Sequence, residues 1–212
     1  MKGLIVAGGN VDPGQLKDIW ISLDHPYVIG VDRGCVYLLQ NNIAIDKAVG
    51  DFDSVSEAER TVIENFFDTE LLNPEKDDTD TEHALLMMLE KEVSEIVMLG
   101  CTGTRLDQTF ASIRALKLAV DAGVDAYIVD LHNRIRVAKD VTIISSSNRF
   151  GKYISVMPYG DRMEGLTEHG FKYEVTDFKL EAAKSRGVSN ELARDVGMIT
   201  SKDYYIVMET DD

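Results

Sequence analysis

Up to about Asn133 the chain alternates short apolar runs with stretches of helical period, and this alternation constrains the fold more than any other feature of it. Residues 4–7, 27–31, 48–49, 70–72, 95–99 and 126–129 read as strands. Between them, residues 13–21, 35–40, 56–67, 79–91 and 106–122 read as helices. Asp12 is an N-cap with proline following at the first helical position. Ser56 with Glu59, and Thr79 with Glu82, have the spacing of a capping box. Strands alternating with helices imply an α/β domain over residues 1–133, a mostly parallel, doubly wound sheet. Such sheets bind ligands beyond the carboxyl ends of their strands. Gly8-Gly9-Asn10, Asp32-Arg33-Gly34, Gly50-Asp51-Phe52-Asp53-Ser54, Lys76-Asp77-Asp78-Thr79-Asp80 and Gly100-Cys101-Thr102-Gly103 all fall at such ends. One crevice is expected to collect them.

Beyond Asn133 the helical period stops. Residues 141–144, 153–157, 171–175 and 204–208 read as strands, with turn signals at Gly151, Pro158-Tyr159-Gly160, His169-Gly170 and Arg186-Gly187. The expectation for residues 134–212 is a smaller all-β domain, an antiparallel sandwich or partial barrel. A unit of this size has little core of its own, which favours docking or dimerisation.

Charge narrows the partners. A formal net charge of −15 argues against nucleic acid and anionic membranes, and it favours a cationic small substrate. The two cysteines, Cys35 and Cys101, have no metal-ligand spacing and read as reduced cytoplasmic thiols. No apolar run approaches membrane-span length, and the first residues read as a strand and not as a signal peptide.

The acidic motifs carry the chemistry. On an extended backbone Asp51 and Asp53 point to one side, with Cα atoms roughly 6.6 Å apart, and Phe52 points toward a core. Two carboxylates on one face repel unless a cation sits between them, and a hard divalent ion such as Mg2+ suits oxygen ligands. The alternative is an Asx-turn at a strand end. Asp80, in the first turn of a helix, is kept ionised by the helix dipole. Gly100-x-x-Gly103-x-Arg105 lies between a strand and a helix. There, backbone N–H groups and a bidentate guanidinium suit a phosphate, and an ordinary βα turn is the competing reading. There is no Walker A sequence, no dinucleotide fingerprint and no G-x-S-x-G.

Taken in order, Asp32-Arg33-Gly34, Gly50–Ser54, Lys76-Asp77-x-Thr79-Asp80, Gly103-x-Arg105-x-Asp107-Gln108 and Val188-Ser189-Asn190 resemble the thiamin pyrophosphokinase family. So does the segment from Pro158-Tyr159-Gly160 to Gly170-Phe171-Lys172-Tyr173. The resemblance implies transfer of a pyrophosphoryl group from ATP to the hydroxyl of thiamin, releasing AMP. It implies a homodimer whose active site is shared between subunits. Asp51, Asp53 and Asp80 match the family's Mg2+ ligands and, with Lys76, its catalytic set. Asn10, Asp32, Arg33, Asp77, Gly103, Thr104, Arg105, Asp107 and Gln108 fall among its nucleotide contacts. Ser189 and Asn190 match its thiamin contacts. Arg33 and Thr104 stand where many members have glycine. Trp20 is the only tryptophan, so an aromatic platform for the pyrimidine must come from another residue type. A metal-dependent nucleotide-sugar transferase and a non-catalytic nucleotide or thiamin sensor are the other functions these motifs allow.

Overall fold

A computed structural model describes residues 1–73 and 77–211. The chain forms two compact units, Met1–Leu131 and His132–Asp212.

The first unit holds strands β1 (Lys2–Val6), β2 (Tyr27–Val31), β3 (Lys47–Gly50), β4 (Thr69–Leu71), β5 (Glu95–Leu99) and β6 (Asp125–Val129). They alternate with helices α1 (Pro13–Leu23), α2 (Arg33–Gln40), α3 (Glu57–Phe66), α4 (Asp80–Leu89) and α5 (Leu106–Asp121). The sheet runs β6-β5-β1-β2-β3-β4 and is parallel throughout. Strand order therefore reverses between β1 and β5, the switch point at which doubly wound sheets open a crevice. Leu4, Ile5 and Val6 of β1 and Ile96, Val97 and Met98 of β5 are all buried. Strands covered on both faces need such continuous apolar runs, and alternation would not suffice.

Helix starts are fixed locally. The Asp12 carboxylate accepts the Gln15 N–H at 2.8 Å, with Pro13 opening α1. Ser56 and Glu59 close a reciprocal capping box on α3. Thr79 Oγ1 accepts the Glu82 N–H at 3.2 Å and sets Asp80 as the first residue of α4.

The second unit is antiparallel: β7 (Asn133–Ser145), β8 (Tyr153–Pro158), β9 (Arg162–His169), β10 (Val175–Glu181), β11 (Asn190–Glu191) and β12 (Val196–Thr210). The long β12 organises it. Its whole length pairs with β7, its first part also with β9, and its last part with β8. A register shift between Ser201 and Tyr205 separates these two pairings, as an inserted residue twists a strand. Ile154, Val156, Met163, Leu166, Ile199 and Tyr205 meet in one core.

Two expectations change here. Residues 171–175 were expected to form a strand, but Phe171 makes only a single bridge to Leu192, and the strand begins at Val175. Strand β9 falls between the turn signals at Pro158-Tyr159-Gly160 and His169-Gly170, where no strand was expected. Its pattern is interrupted at Gly165, whose φ of 71° breaks the alternation.

Candidate active site

Loops at the carboxyl ends of β1, β2, β3 and β5, with the segment entering α4, line one cavity of about 520 Å³. At its floor the β1 and β5 loops are stitched together. The Gly9 N–H donates to the Gly100 carbonyl at 2.8 Å, and the Asn10 N–H to the Thr102 carbonyl at 2.9 Å.

Three carboxylates converge in this cavity. Oxygens of Asp32, Asp51 and Asp80 lie within 4.8 Å of one another. Asp32 sits at the end of β2 with φ 47° and ψ −121°, a conformation rare for a non-glycine residue. It is held there from both sides. Its N–H donates to the Val49 carbonyl at 3.0 Å, and its Oδ1 accepts the Phe52 N–H at 3.2 Å. A Cβ at position 50 would overlap that same Oδ1, so β3 must end in glycine for Asp32 to fit. Burial pushes the Asp32 carboxyl up to about 7, and the nearby Asp80 carboxylate adds to the rise. Three hard oxygen donors brought this close together are a donor set that a divalent cation fits.

The Asp51–Asp53 pair differs in geometry from a simple strand. β3 ends at Gly50, and Phe52 adopts φ 57°. The Asp51 Oδ1 accepts the Asp53 N–H at 3.0 Å, an Asx-turn. The turn and the carboxylate cluster therefore coexist. Asp51 faces Asp32 and Asp80 while Asp53 lines the cavity from the turn. Phe52 is buried, as its position predicts.

Gly103, Thr104, Arg105 and Gln108 line the same cavity. Arg105 is exposed and forms a two-pronged pair with Asp107, with Nη2–Oδ2 at 2.6 Å and Nε–Oδ1 at 3.2 Å. Thr102 Oγ1 donates to Asp130 at 2.8 Å. Asn10, Arg33 and Asp77 are exposed and stand outside the cavity lining. Asp78, the neighbour of Asp77, lines it instead. The guanidinium of Arg33 lies 6.0 Å from the Tyr37 ring. Lys76 lies outside the described residues. Burial pushes both thiols, Cys35 and Cys101, up to about 12, which leaves neither as a nucleophile.

The second unit has its own cavity, of about 430 Å³, lined by Leu166, Glu168, Tyr173, Phe178, Leu180 and Arg186 among others. Ser189 and Asn190 are beside it without lining it. Ser189 has φ 60° and donates its N–H to Ser155 Oγ at 3.0 Å. Asn190 is buried, and its carboxamide is engaged by the chain: Oδ1 accepts the Tyr173 N–H at 3.0 Å and Nδ2 donates to the Tyr173 carbonyl at 2.9 Å. Sequence reading missed Glu168, Tyr173, Phe178 and Arg186. The available signal was Leu166-x-Glu168, a charge at an inward position, but it lay in a strand masked by turn residues.

Both units have counterparts among known proteins. Residues 18–128 match the model of the thiamin pyrophosphokinase catalytic domain, and residues 133–206 that of the thiamin pyrophosphokinase vitamin B1 binding domain. The thiamine pyrophosphokinase of Bacillus subtilis (strain 168) is 32% identical over 206 residues, 96% of this chain and 95% of that protein. The crystal structure of thiamine pyrophosphokinase from Bacillus subtilis superposes with a TM-score of 0.88 at 29% identity, covering 100% of both chains. That of thiamin pyrophosphokinase from Geobacillus thermodenitrificans gives 0.84 at 27% identity, covering 100% of this chain and 98% of the other. With both domain models matched along nearly its whole length, the chain belongs to the thiamin pyrophosphokinase family.

Proposed function

We propose that the family's reaction, transfer of the pyrophosphoryl group of ATP to the hydroxyl of thiamin, is carried by the cavity at the β1–β5 switch point. The observation that supports this is the convergence of Asp32, Asp51 and Asp80 at the strand ends. In the transfer an oxygen–phosphorus bond forms between the thiamin hydroxyl and the β-phosphorus. The bond from that phosphorus to the bridging oxygen of AMP breaks, and the hydroxyl proton is released. Such transfers need positioning and charge cancellation more than covalent help.

Asp32, Asp51 and Asp80 would hold Mg2+, with Asp53 reaching the same cavity from its turn. When bound, the ion neutralises phosphate oxygens and orients the nucleotide. The loop from Gly100 to Arg105 offers backbone N–H groups at the start of α5, a favourable place for phosphate. Arg105, steadied by Asp107, and Lys76 supply positive charge, and Gln108 and Thr104 line the nucleotide's path.

Thiamin is taken by the 430 Å³ cavity of the B1-binding unit. Tyr173 and Phe178 are the aromatic platforms there; Ser189 and Asn190 stand behind the wall, Asn190 holding the Tyr173 peptide. A homodimer is part of the same reading. Ile143 on β7 pairs in register with Met198 on β12, and with Val141 and Val196 they form an exposed apolar patch. A second copy is the natural cover for such a patch. Two buried thiols fit a cytoplasmic setting. Among the described residues no helix is long and apolar enough to cross a membrane.

The test is incubation of the protein with ATP, Mg2+ and thiamin, with products resolved by mass spectrometry. AMP with thiamin diphosphate, dependent on both substrates, is expected. ADP with thiamin monophosphate would move the attack to the γ-phosphorus. Thiamin bound without turnover would replace the enzyme with a sensor.

A further inference from the structure

Strand β9 carries a carboxyl group where its pattern calls for an apolar side chain. After the break at Gly165, Leu166 and Glu168 share the inward face, and both are nearly inaccessible, at 2% and 3% exposure. Glu168 is flanked in register by Val175 on β10 and by Ile199 on β12, which is fully buried. A carboxyl so placed is costly unless hydrogen-bonded. Among the described residues its hydrogen-bond partner is Asn190 Nδ2, at a long 3.4 Å, and that amide also serves the Tyr173 carbonyl. A carboxyl group offers more bonding capacity than one long contact uses.

Glu168 opens on the 430 Å³ cavity whose other walls include Leu166, Tyr173, Phe178 and Leu180. Lys172, Glu174 and Arg186 also line it. Lys172 pairs with Glu191 at 3.4 Å and Glu174 accepts the Gly170 N–H at 2.7 Å, which leaves Glu168 as the buried polar group among aromatic and aliphatic walls, a setting that takes a flat ring and reads one edge of it. The Arg186 guanidinium stacks 4.5 Å from the Phe178 ring and places a positive charge in the wall. Of thiamin's two rings, the neutral pyrimidine therefore suits this cavity better than the cationic thiazolium.

We infer that Glu168 is a specificity-determining residue, pairing its carboxyl group with the exocyclic amine and adjacent ring nitrogen of the aminopyrimidine of thiamin. The carboxyl oxygen accepts an amine hydrogen, and the hydroxyl hydrogen is donated to the ring nitrogen, two parallel bonds of the kind that fix both position and identity. Burial pushes the Glu168 carboxyl up to about 7, which keeps the proton needed for the second bond near neutrality. The inference rests on the reading that this cavity takes thiamin. It adds what the pocket selects for, an amino-pyrimidine over its oxo counterpart, in which donor and acceptor are exchanged along that edge.

The experiment measures kcat and KM for thiamin and for its 4-oxo analogue with the wild type, Glu168→Gln and Glu168→Leu. Gln keeps one acceptor and one donor in the same places, so it should retain the preference for thiamin. Leu removes both, and the thiamin KM should rise about 10–100-fold while the ATP KM stays unchanged and the preference falls toward one. Glu168→Met is measured alongside, so that poor folding of one apolar variant does not decide the matter. A folded Leu or Met variant that keeps the wild-type preference overturns the inference and leaves the activity standing. A wild type that turns over neither pyrimidine overturns the proposed activity, and the inference with it.

Discussion

The carboxamide of Asn190 brackets the peptide of Tyr173, accepting its N–H at 3.0 Å and donating to its carbonyl at 2.9 Å. A side chain thus stands in for a neighbouring strand at the point where β10 has not yet begun. It holds Tyr173 at the cavity wall and reaches Glu168 at 3.4 Å. If the cavity takes thiamin as proposed, Asn190 would act on it through Tyr173 and Glu168.

Asn190→Ala should leave the Tyr173 peptide groups without these bonds and destabilise the B1-binding unit by about 1–3 kcal/mol. The thiamin KM should rise more than the ATP KM. Steady-state kinetics with each substrate varied in turn will separate the two, and equal rises would place Asn190 in general folding.

The carboxylate cluster gives an ordered series. Asp51→Asn and Asp80→Asn should each lower kcat by about a hundredfold or more, the size of effect expected when several kcal/mol of charge stabilisation is lost. Asp32→Asn should weaken the Mg2+ dependence, and Asp53→Ala should remove most turnover while the protein still folds. Circular dichroism with Mg2+ titrations of activity checks all four. Near-normal turnover in folded Asp53→Ala would leave Asp32, Asp51 and Asp80 as the working set.

Gly50→Ala tests how Asp32 is seated. Position 50 has φ 145°, and a Cβ there overlaps the Asp32 carboxylate. The substitution should cost about 1–3 kcal/mol in backbone strain and should also reduce the rise in Tm on adding Mg2+. Gly123→Ala is the control. Its φ is 73° but its Cβ meets open space, so it should lower Tm and leave the Mg2+ response intact.

Stability should fall between mildly acid and neutral pH because of Glu168. Burial raises its pKa from the ordinary 4.5 to about 7. Below 4.5 the group is protonated in folded and unfolded chains alike. From there to 7 the unfolded chain releases its proton while the folded chain keeps it, so stability drops as pH rises. The loss should approach about 1–3 kcal/mol and be absent in Glu168→Gln. Asp32, raised for the same main reason, contributes in the same direction in both proteins. Urea denaturation in EDTA at pH 5 and 8 compares the two.

Ile143→Asp places a charge in the exposed patch shared with Met198. Sedimentation should show a dimer for the wild type and a monomer for the variant. A dimer in both would locate the subunit contact elsewhere.

The α/β half is legible in the sequence. Its signals are local: apolar runs for covered parallel strands, Asp12 and Pro13 for α1, Ser56 and Glu59 for α3. Each acts within a turn of chain, so each is legible without the fold. The strand-end motifs likewise announced one crevice, and the order of motifs carried the family. Which groups meet is set by contacts between elements far apart in the chain. Asp32, Asp51 and Asp80 converge because β2, β3 and the entry to α4 end side by side, with Gly50 leaving room for the first. No spacing along the chain encodes that. In the β half, β9 and the Glu168 pocket stayed hidden because the strand on one side of β9, β12, is distant in sequence and Gly165 breaks the alternation that would have announced the strand.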